Sequence, residues 1–219
     1  VHEYIKNTGL KLTEIIVTHH HWDHTGGVEE LVSDYECLAY GPSGGHIKGI
    51  TNPLKDKENF NILENIEFKA FSAPGHTNDQ LSYFSDTEDT PILFSGDTLF
   101  SAGCGRLFEG TAGQMWHSLQ KLSTLPDDTI LCSGHEYTET NSNFALTIDP
   151  KNQDLITRHK NIKKLRSEGI PTVPSTMNEE KKTNPFLRPW CKEIRANLDM
   201  IEATDEEVFT KIRALKDEY

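Results

Sequence analysis

The chain has 219 residues, with 22 Lys plus Arg against 34 Asp plus Glu and a formal charge of −12, a balance that argues against nucleic acid and anionic membrane surfaces as general partners. No apolar run reaches the ~20 residues of a membrane helix, and no signal-peptide pattern opens the chain. A cytoplasmic protein is therefore expected, with the mitochondrial matrix as the alternative compartment and a monomer as the default state. Four cysteines, Cys37, Cys104, Cys132 and Cys191, show no C-x-x-C spacing and are expected as free thiols.

In chain order, residues 1–8 read as a helix closed by Gly9. An apolar run then leads into Thr18-His19-His20-His21-Trp22-Asp23-His24, which packs several metal-ligating side chains into a few residues. In extended backbone, residues two apart point to one side, so His19 and His21 can share an ion while Asp23 and His24 point elsewhere. That separation suggests two ions, because a closed four-ligand site leaves no position for water. A short helix is expected over residues 27–34. The alternating run over 66–71 reads as a half-buried strand ending at Ala73-Pro74-Gly75-His76. The runs over 91–94 and 129–132 read as buried strands ending at Ser95-Gly96-Asp97 and Ser133-Gly134-His135. Strand, Gly, ligand thus recurs three times, and loops at one sheet edge face a common cleft.

A helix is expected over residues 112–124. After Thr138 the pattern turns helical, over 143–148, 153–168 and 205–218, with a Pro-containing stretch over 169–189. Thr204-Asp205-Glu206-Glu207 is a capping box, and Val208, Ile212 and Leu215 form an apolar stripe behind it. Two units are expected, a catalytic domain over 1–137 and a helical domain over 138–219. His2, His20, His46, His117 and His159 are read as ordinary surface or core histidines.

With these segments the sequence resembles the metallo-β-lactamase superfamily, and within it glyoxalase II, the hydroxyacylglutathione hydrolases. Gly103-Cys104-Gly105-Arg106, Phe108-Glu109-Gly110-Thr111, Gly134-His135-Glu136-Tyr137-Thr138, Thr172-Val173-Pro174-Ser175-Thr176 and Asn184-Pro185-Phe186-Leu187-Arg188 carry the resemblance to that branch. The resemblance implies an αββα sandwich with a C-terminal helical, glutathione-binding domain. It also implies opening strands and an acidic turn ahead of Val1 that this sequence lacks, so the sandwich is expected to be N-terminally incomplete.

The resemblance places His19, His21 and His76 on one divalent ion and Asp23, His24 and His135 on a second, with Asp97 bridging. It gives catalytic roles to Asp97, Asp23 and His24. Zinc is the first expectation, with iron or manganese as alternatives. The implied reaction is hydrolysis of the thioester S-D-lactoylglutathione, and of related S-2-hydroxyacylglutathiones, to D-lactate and glutathione by a metal-held hydroxide. This is the second step of methylglyoxal detoxification. Arg106, Phe108, Tyr137, Arg213 and Lys216 match glutathione contacts. Arg213 and Lys216 are three apart on one helical face and could pair a carboxylate. Phe108 stands where many members have Tyr, and Arg106 where some have Lys, which changes hydrogen bonding more than charge. Two other readings stay open: a persulfide dioxygenase holding one iron, and an inactive fragment that binds metal or glutathione without turnover. Cys104, near the expected cleft, has no base placed for it and is not expected to act as a nucleophile.

Overall fold

The computed structural model describes residues 1–86 and 90–219. Chain order begins with α1 (His2–Thr8), β1 (Glu14–Ile16), α2 (Trp22–Thr25), α3 (Val28–Tyr35), β2 (Leu38–Pro42) and β3 (Asn52–Leu54). The strands β1, β2 and β3 form a parallel sheet in that order, since the α2–α3 crossover returns the chain to the same end. A second sheet is built from β4 (Asn59–Ile62), β5 (Ile66–Ser72), β6 (Leu81–Ser85) and β7 (Ile92–Gly96), with β10 (Ile130–Ser133) and β11 (Ser175–Thr176) added later in the chain. Its order is β11-β10-β7-β6-β5-β4, antiparallel throughout except for the β7/β10 pair. Between β7 and β10 lie the hairpin β8 (Leu99–Phe100) and β9 (Gly103–Cys104), and α4 (Ala112–Ser123). The helices α5 (Thr138–Ile148), α6 (Gln153–Ser167), α7 (Met177–Thr183), α8 (Lys192–Asn197) and α9 (Asp205–Glu218) make up most of the remainder.

Alternation in sequence becomes alternation in burial. Along β5, Phe68 and Ala70 are buried while Glu67 and Lys69 are exposed, as expected for a strand with two unlike faces. Phe68, Ala70 and Tyr83 pack with Phe60 and Leu54, joined by Ile16 and Tyr40 from the first sheet. The first sheet's outer face packs Val17 and Ala39 on Val28 of α3. On the other side of the second sheet, Leu93 and Leu131 meet Met115, Leu119 and Leu122 of α4 and Phe209 and Ile212 of α9. The layers therefore run α/β/β/α, with the C-terminal helices extending one outer layer.

The helix at α4 starts at Thr111, which accepts from Gln114 N while Gln114 accepts from Thr111 N. The α9 capping box forms as the sequence predicts, with Thr204 accepting from Glu207 N and its stripe residues Val208 and Ile212 fully buried. Two differences stand out in the helical region. The helix expected from residue 143 begins at Thr138, and the stretch over 169–189 contains α7. Among the described residues, no helix is long and apolar enough to cross a membrane.

Candidate metal centre

The first donor segment is pinned between the two sheets before it reaches the site. Val17 N donates to Tyr40 O at 2.8 Å, Tyr83 Oη donates to Val17 O at 2.6 Å, and Leu81 N donates to Thr18 O at 2.8 Å. From there His19 and His21 project to the same side. Helix α2 starts at Trp22, and this turn carries Asp23 and His24 to His135, with the His24 ring still 4.2 Å from that of His19.

The other donors arrive at strand ends. His76 follows β5 behind Gly75, whose φ of +146° and close approach to Met115 leave no room for a side chain, since a Cβ there would lie 2.6 Å from Met115 Cβ. Asp97 follows β7 behind Gly96, and His135 follows β10 behind Gly134. Gly134 N donates to Gly96 O at 3.0 Å, which ties those two turns together. A Cβ at Gly134 would lie 2.3 Å from Asp97 Oδ1.

The seven expected donors converge. His19 Nε2 lies 3.1 Å and His76 Nε2 3.0 Å from His21 Nδ1. His24 Nε2 and His135 Nε2 are 3.2 Å apart, and Asp23 Oδ2 lies 3.3 Å from His135 Nε2. Between these trios stands Asp97, with Oδ2 3.5 Å from His76 Nε2 and 3.4 Å from His135 Nε2, and Oδ1 3.5 Å from His24 Nε2. Asp97 is 5 % exposed, yet its Oδ1 has no hydrogen-bond partner. Imidazole nitrogens aimed at one another and an unpartnered buried carboxylate oxygen are unfavourable without a shared cation. The donor set, neutral nitrogens with carboxylate oxygens, suits divalent ions of the zinc, iron or manganese kind.

Electrostatics agree with this. Burial, helped by His24 and by the neighbouring imidazoles, pushes the His19 pKa down to about 3. Burial likewise lowers His76, whose Nδ1 donates to Arg106 O at 2.8 Å, leaving Nε2 free to face the trio. His24 is raised, chiefly by the Asp97 carboxylate 3.5 Å away. Burial pushes Asp97 up, but His24, His135 and His19 outweigh it and hold the carboxyl below its usual range. The site is thus prepared to carry an anion beside two imidazoles, His19 and His76, that burial keeps from charging.

A cleft of about 340 Å³ opens over this cluster, with His21, Asp97 and His135 on its floor and Phe100, Arg106, Phe108 and Tyr137 around it. Tyr137 stacks on His135 with ring centres 4.8 Å apart, and Phe108 meets the edges of His21 and His76. Arg106 is largely exposed, its guanidinium 5.8 Å from the Phe108 ring centre. A larger cleft of about 430 Å³ lies between β1, β7 and β10, but its walls are mainly Ile16, Val17, Phe94 and Cys132, and of the seven expected donors it is lined by His24 alone.

Arg213 and Lys216 lie outside the cleft lining. The Arg213 guanidinium is buried beneath the β9 turn, donating to Cys104 O at 2.9 Å and to Asp217 Oδ1 at 3.1 Å. Lys216 sits with its ammonium 5.2 Å over the Phe144 ring and 4.9 Å over that of Tyr219. Cys104 is buried, and burial pushes its thiol up to about 11, which fits an inert side chain. Phe100 carries no local signal in the sequence. It belongs to a two-residue strand, and only the hairpin's fold turns it toward the cleft.

His20 and His46, read from the sequence as ordinary histidines, also meet. His20 faces away from both trios, as alternation requires, and reaches Asp79, which His46 contacts from the other side.

Strand-end donors on an α/β/β/α sandwich define a class, and a family model described as the metallo-beta-lactamase superfamily matches residues 3–135. In solved structures the fold is shared with ETHE1 from Myxococcus xanthus, at a TM-score of 0.65 and 23 % identity over 97 % of this chain and 72 % of that one. A metallo-beta-lactamase from Staphylococcus aureus superposes at 0.62 and 22 % identity, covering 98 % of this chain and 61 % of that one. A second family model, described as the hydroxyacylglutathione hydrolase C-terminus, matches residues 136–219. The hydroxyacylglutathione hydrolase of Bartonella tribocorum is 46 % identical over 221 residues, covering 100 % of this chain and 86 % of that protein. Its counterpart from Rhodopseudomonas palustris is 46 % identical over 209 residues, covering 95 % and 81 %. The chain belongs to the hydroxyacylglutathione hydrolases, a divalent-metal-binding branch of the superfamily.

Proposed function

We propose that this chain hydrolyses the thioester of S-D-lactoylglutathione and related S-2-hydroxyacylglutathiones, releasing the 2-hydroxy acid and glutathione. The observation that carries the reading is the pair of donor trios sharing one buried, unpartnered carboxylate, Asp97, beneath a cleft with an exposed arginine at its rim. His19, His21 and His76 would hold one ion, Asp23, His24 and His135 another, with Asp97 between them. Zinc is the first candidate. Bound there, divalent ions supply a water-derived nucleophile at neutral pH and polarise a carbonyl.

The chain's own residues do the rest. Asp97 sets the spacing of the two donor groups and stays anionic. Arg106 O orients His76, and Tyr137 orients His135 by stacking. Phe108 shields the His21 and His76 edges from bulk water, which strengthens electrostatic interactions inside the cleft. Arg106 offers a fork to a carboxylate of glutathione. Lys216 and Arg213 add positive charge behind that rim. Arg213 acts on the substrate through the loop it holds, because its two terminal nitrogens are occupied by Cys104, Gly105 and Asp217.

The test is turnover of S-D-lactoylglutathione, followed by loss of thioester absorbance, alongside metal analysis. Chelator-sensitive hydrolysis with two ions per chain is expected. One iron per chain with oxygen uptake on a glutathione persulfide would replace this reading by the dioxygenase one, and full metal content without turnover would leave only binding.

A further inference from the structure

Outside the seven donors, another group of ligating side chains gathers on the rim of the centre. His20 Nδ1 lies 2.9 Å from Asp79 Oδ1, and His46 Nε2 lies 2.8 Å from Asp79 Oδ2. The three donor atoms all fall within 4.8 Å of one another. The other nitrogen of His20, Nε2, faces Glu109 Oε1 at 3.0 Å. Each residue is held from behind. Glu109 accepts from Asn78 N at 2.8 Å and Asp79 from Thr77 Oγ1 at 2.7 Å. His46 sits beside Ile47, which is buried in the core of the first sheet.

The arrangement of His20 is the informative part. Both of its nitrogens meet carboxylates, Asp79 at 2.9 Å and Glu109 at 3.0 Å, while His46 reaches the other Asp79 oxygen, so two imidazoles and a carboxylate converge with a second carboxylate behind one of them. A carboxylate on the far nitrogen of a histidine whose near nitrogen faces a second carboxylate and a second histidine is the arrangement that orients metal-binding imidazoles. Two nitrogens and one carboxylate also leave room for water on a tetrahedral ion.

We propose that His20, His46 and Asp79, backed by Glu109, form an accessory site for a divalent cation of the zinc class, separate from the two donor trios. The ion ties the turn carrying His46 to the donor segment at His20, whose ring lies 5.1 Å from that of His21. The site takes its ion from its own donors and needs no donor of the main centre.

The probe is zinc itself. The full chain is dialysed against buffers of increasing free zinc and the bound metal is measured at each step. Wild type is expected to bind one ion per chain more than His46→Ala and Asp79→Asn, and its last ion to add a zinc-dependent rise in Tm that both variants lack. His46→Ala, an exposed turn residue, should keep its turnover at the zinc level that fills the main centre. His2→Ala, which breaks a separate exposed group with Glu30 and Asp34, should keep the extra ion. Equal metal counts in wild type and His46→Ala overturn the proposal, as does loss of the extra ion from His2→Ala alone. Because the readout is a difference between chains, it stands whatever the substrate of the main centre proves to be.

Discussion

The donor trios and the Glu180 cluster bury polar groups to opposite ends. Around Glu180, which is fully buried, four donors close on the carboxylate: Ala102 N donates to it at 2.8 Å, Ser175 Oγ at 2.7 Å, Asn184 Nδ2 at 3.1 Å and Arg158 at 2.5 Å. Around Asp97 the neighbours are imidazole nitrogens crowded on one another, two of them on His21 Nδ1 alone, and one carboxylate oxygen is left bare. The first arrangement lowers its energy by folding alone. The second is held in place by the fold around it and lowers its energy only when ions arrive. A buried polar cluster therefore identifies its role by whether its hydrogen bonds close.

Removing the shared carboxylate should sharpen that contrast most. Asp97→Ala is expected to cut thioester hydrolysis by about a thousandfold or more, beyond the ~10–100-fold usual for groups that merely orient a ligand, and to lower metal content. Its denaturant midpoint without metal should move little, and the contrast fails if stability collapses with activity.

The reverse experiment is Glu180→Ala. Stranding Arg158 in the interior should cost about 3 kcal/mol or more of stability, read from urea unfolding, while folded protein keeps its bound metal. Loss of metal from an otherwise stable Glu180→Ala chain would erase the distinction between the two regions.

Acid should separate them as well. A base whose pKa is lowered on folding contributes stability that is complete above its ordinary value and is lost as pH falls toward the lowered one. His19 falls from 6.5 to about 3, and His76 moves the same way. His24, raised by Asp97, acts in the opposite sense and loses its contribution as pH rises through its raised value. With three lowered imidazoles, His159 being the third, against one raised, the metal-free chain should lose stability as pH drops below about 6.5, and His19→Gln should flatten that slope. An unchanged slope in chemical denaturation at stepped pH would remove His19 as its source.

The smallest effect belongs to the rim. Arg106→Ala should raise KM about three- to tenfold, as expected for a solvent-screened charged hydrogen bond, and leave kcat within about twofold. A fall in kcat with unchanged KM would place Arg106 in the chemical step.

The two regions also differ in how far the chain alone revealed them. The donors were legible because strand ends, a preceding Gly and the spacing of His19, His21, Asp23 and His24 are local features, whereas their division into trios followed only from the family resemblance. The start of α9 was legible for the same reason, through Thr204 and Glu207. By contrast, α7 carries Met177, Glu180 and Thr183 on its buried face, so two of its three inward residues are polar and no apolar period marks it. Thr138, Asn141 and Ser142 hide the beginning of α5 in the same way. The meeting of His46 with Asp79 joins residues 33 apart in sequence, and no local pattern announces it. Arg213 matched a substrate contact by position, yet its neighbours Cys104 and Gly105 lie more than a hundred residues earlier.

That last distance governs when the centre can mature. The turn over 99–105, which supplies Phe100 and brackets Asp97, is fastened by Asn141, Arg158, Glu180, Asn184 and Arg213. During synthesis at ~5–20 residues per second, six of the seven donors emerge well before any of these fasteners. The ribosome thus releases most of the ligands first and the residues that fasten the turn beside Asp97 last, so the frame of the cleft closes only once Arg213 has emerged.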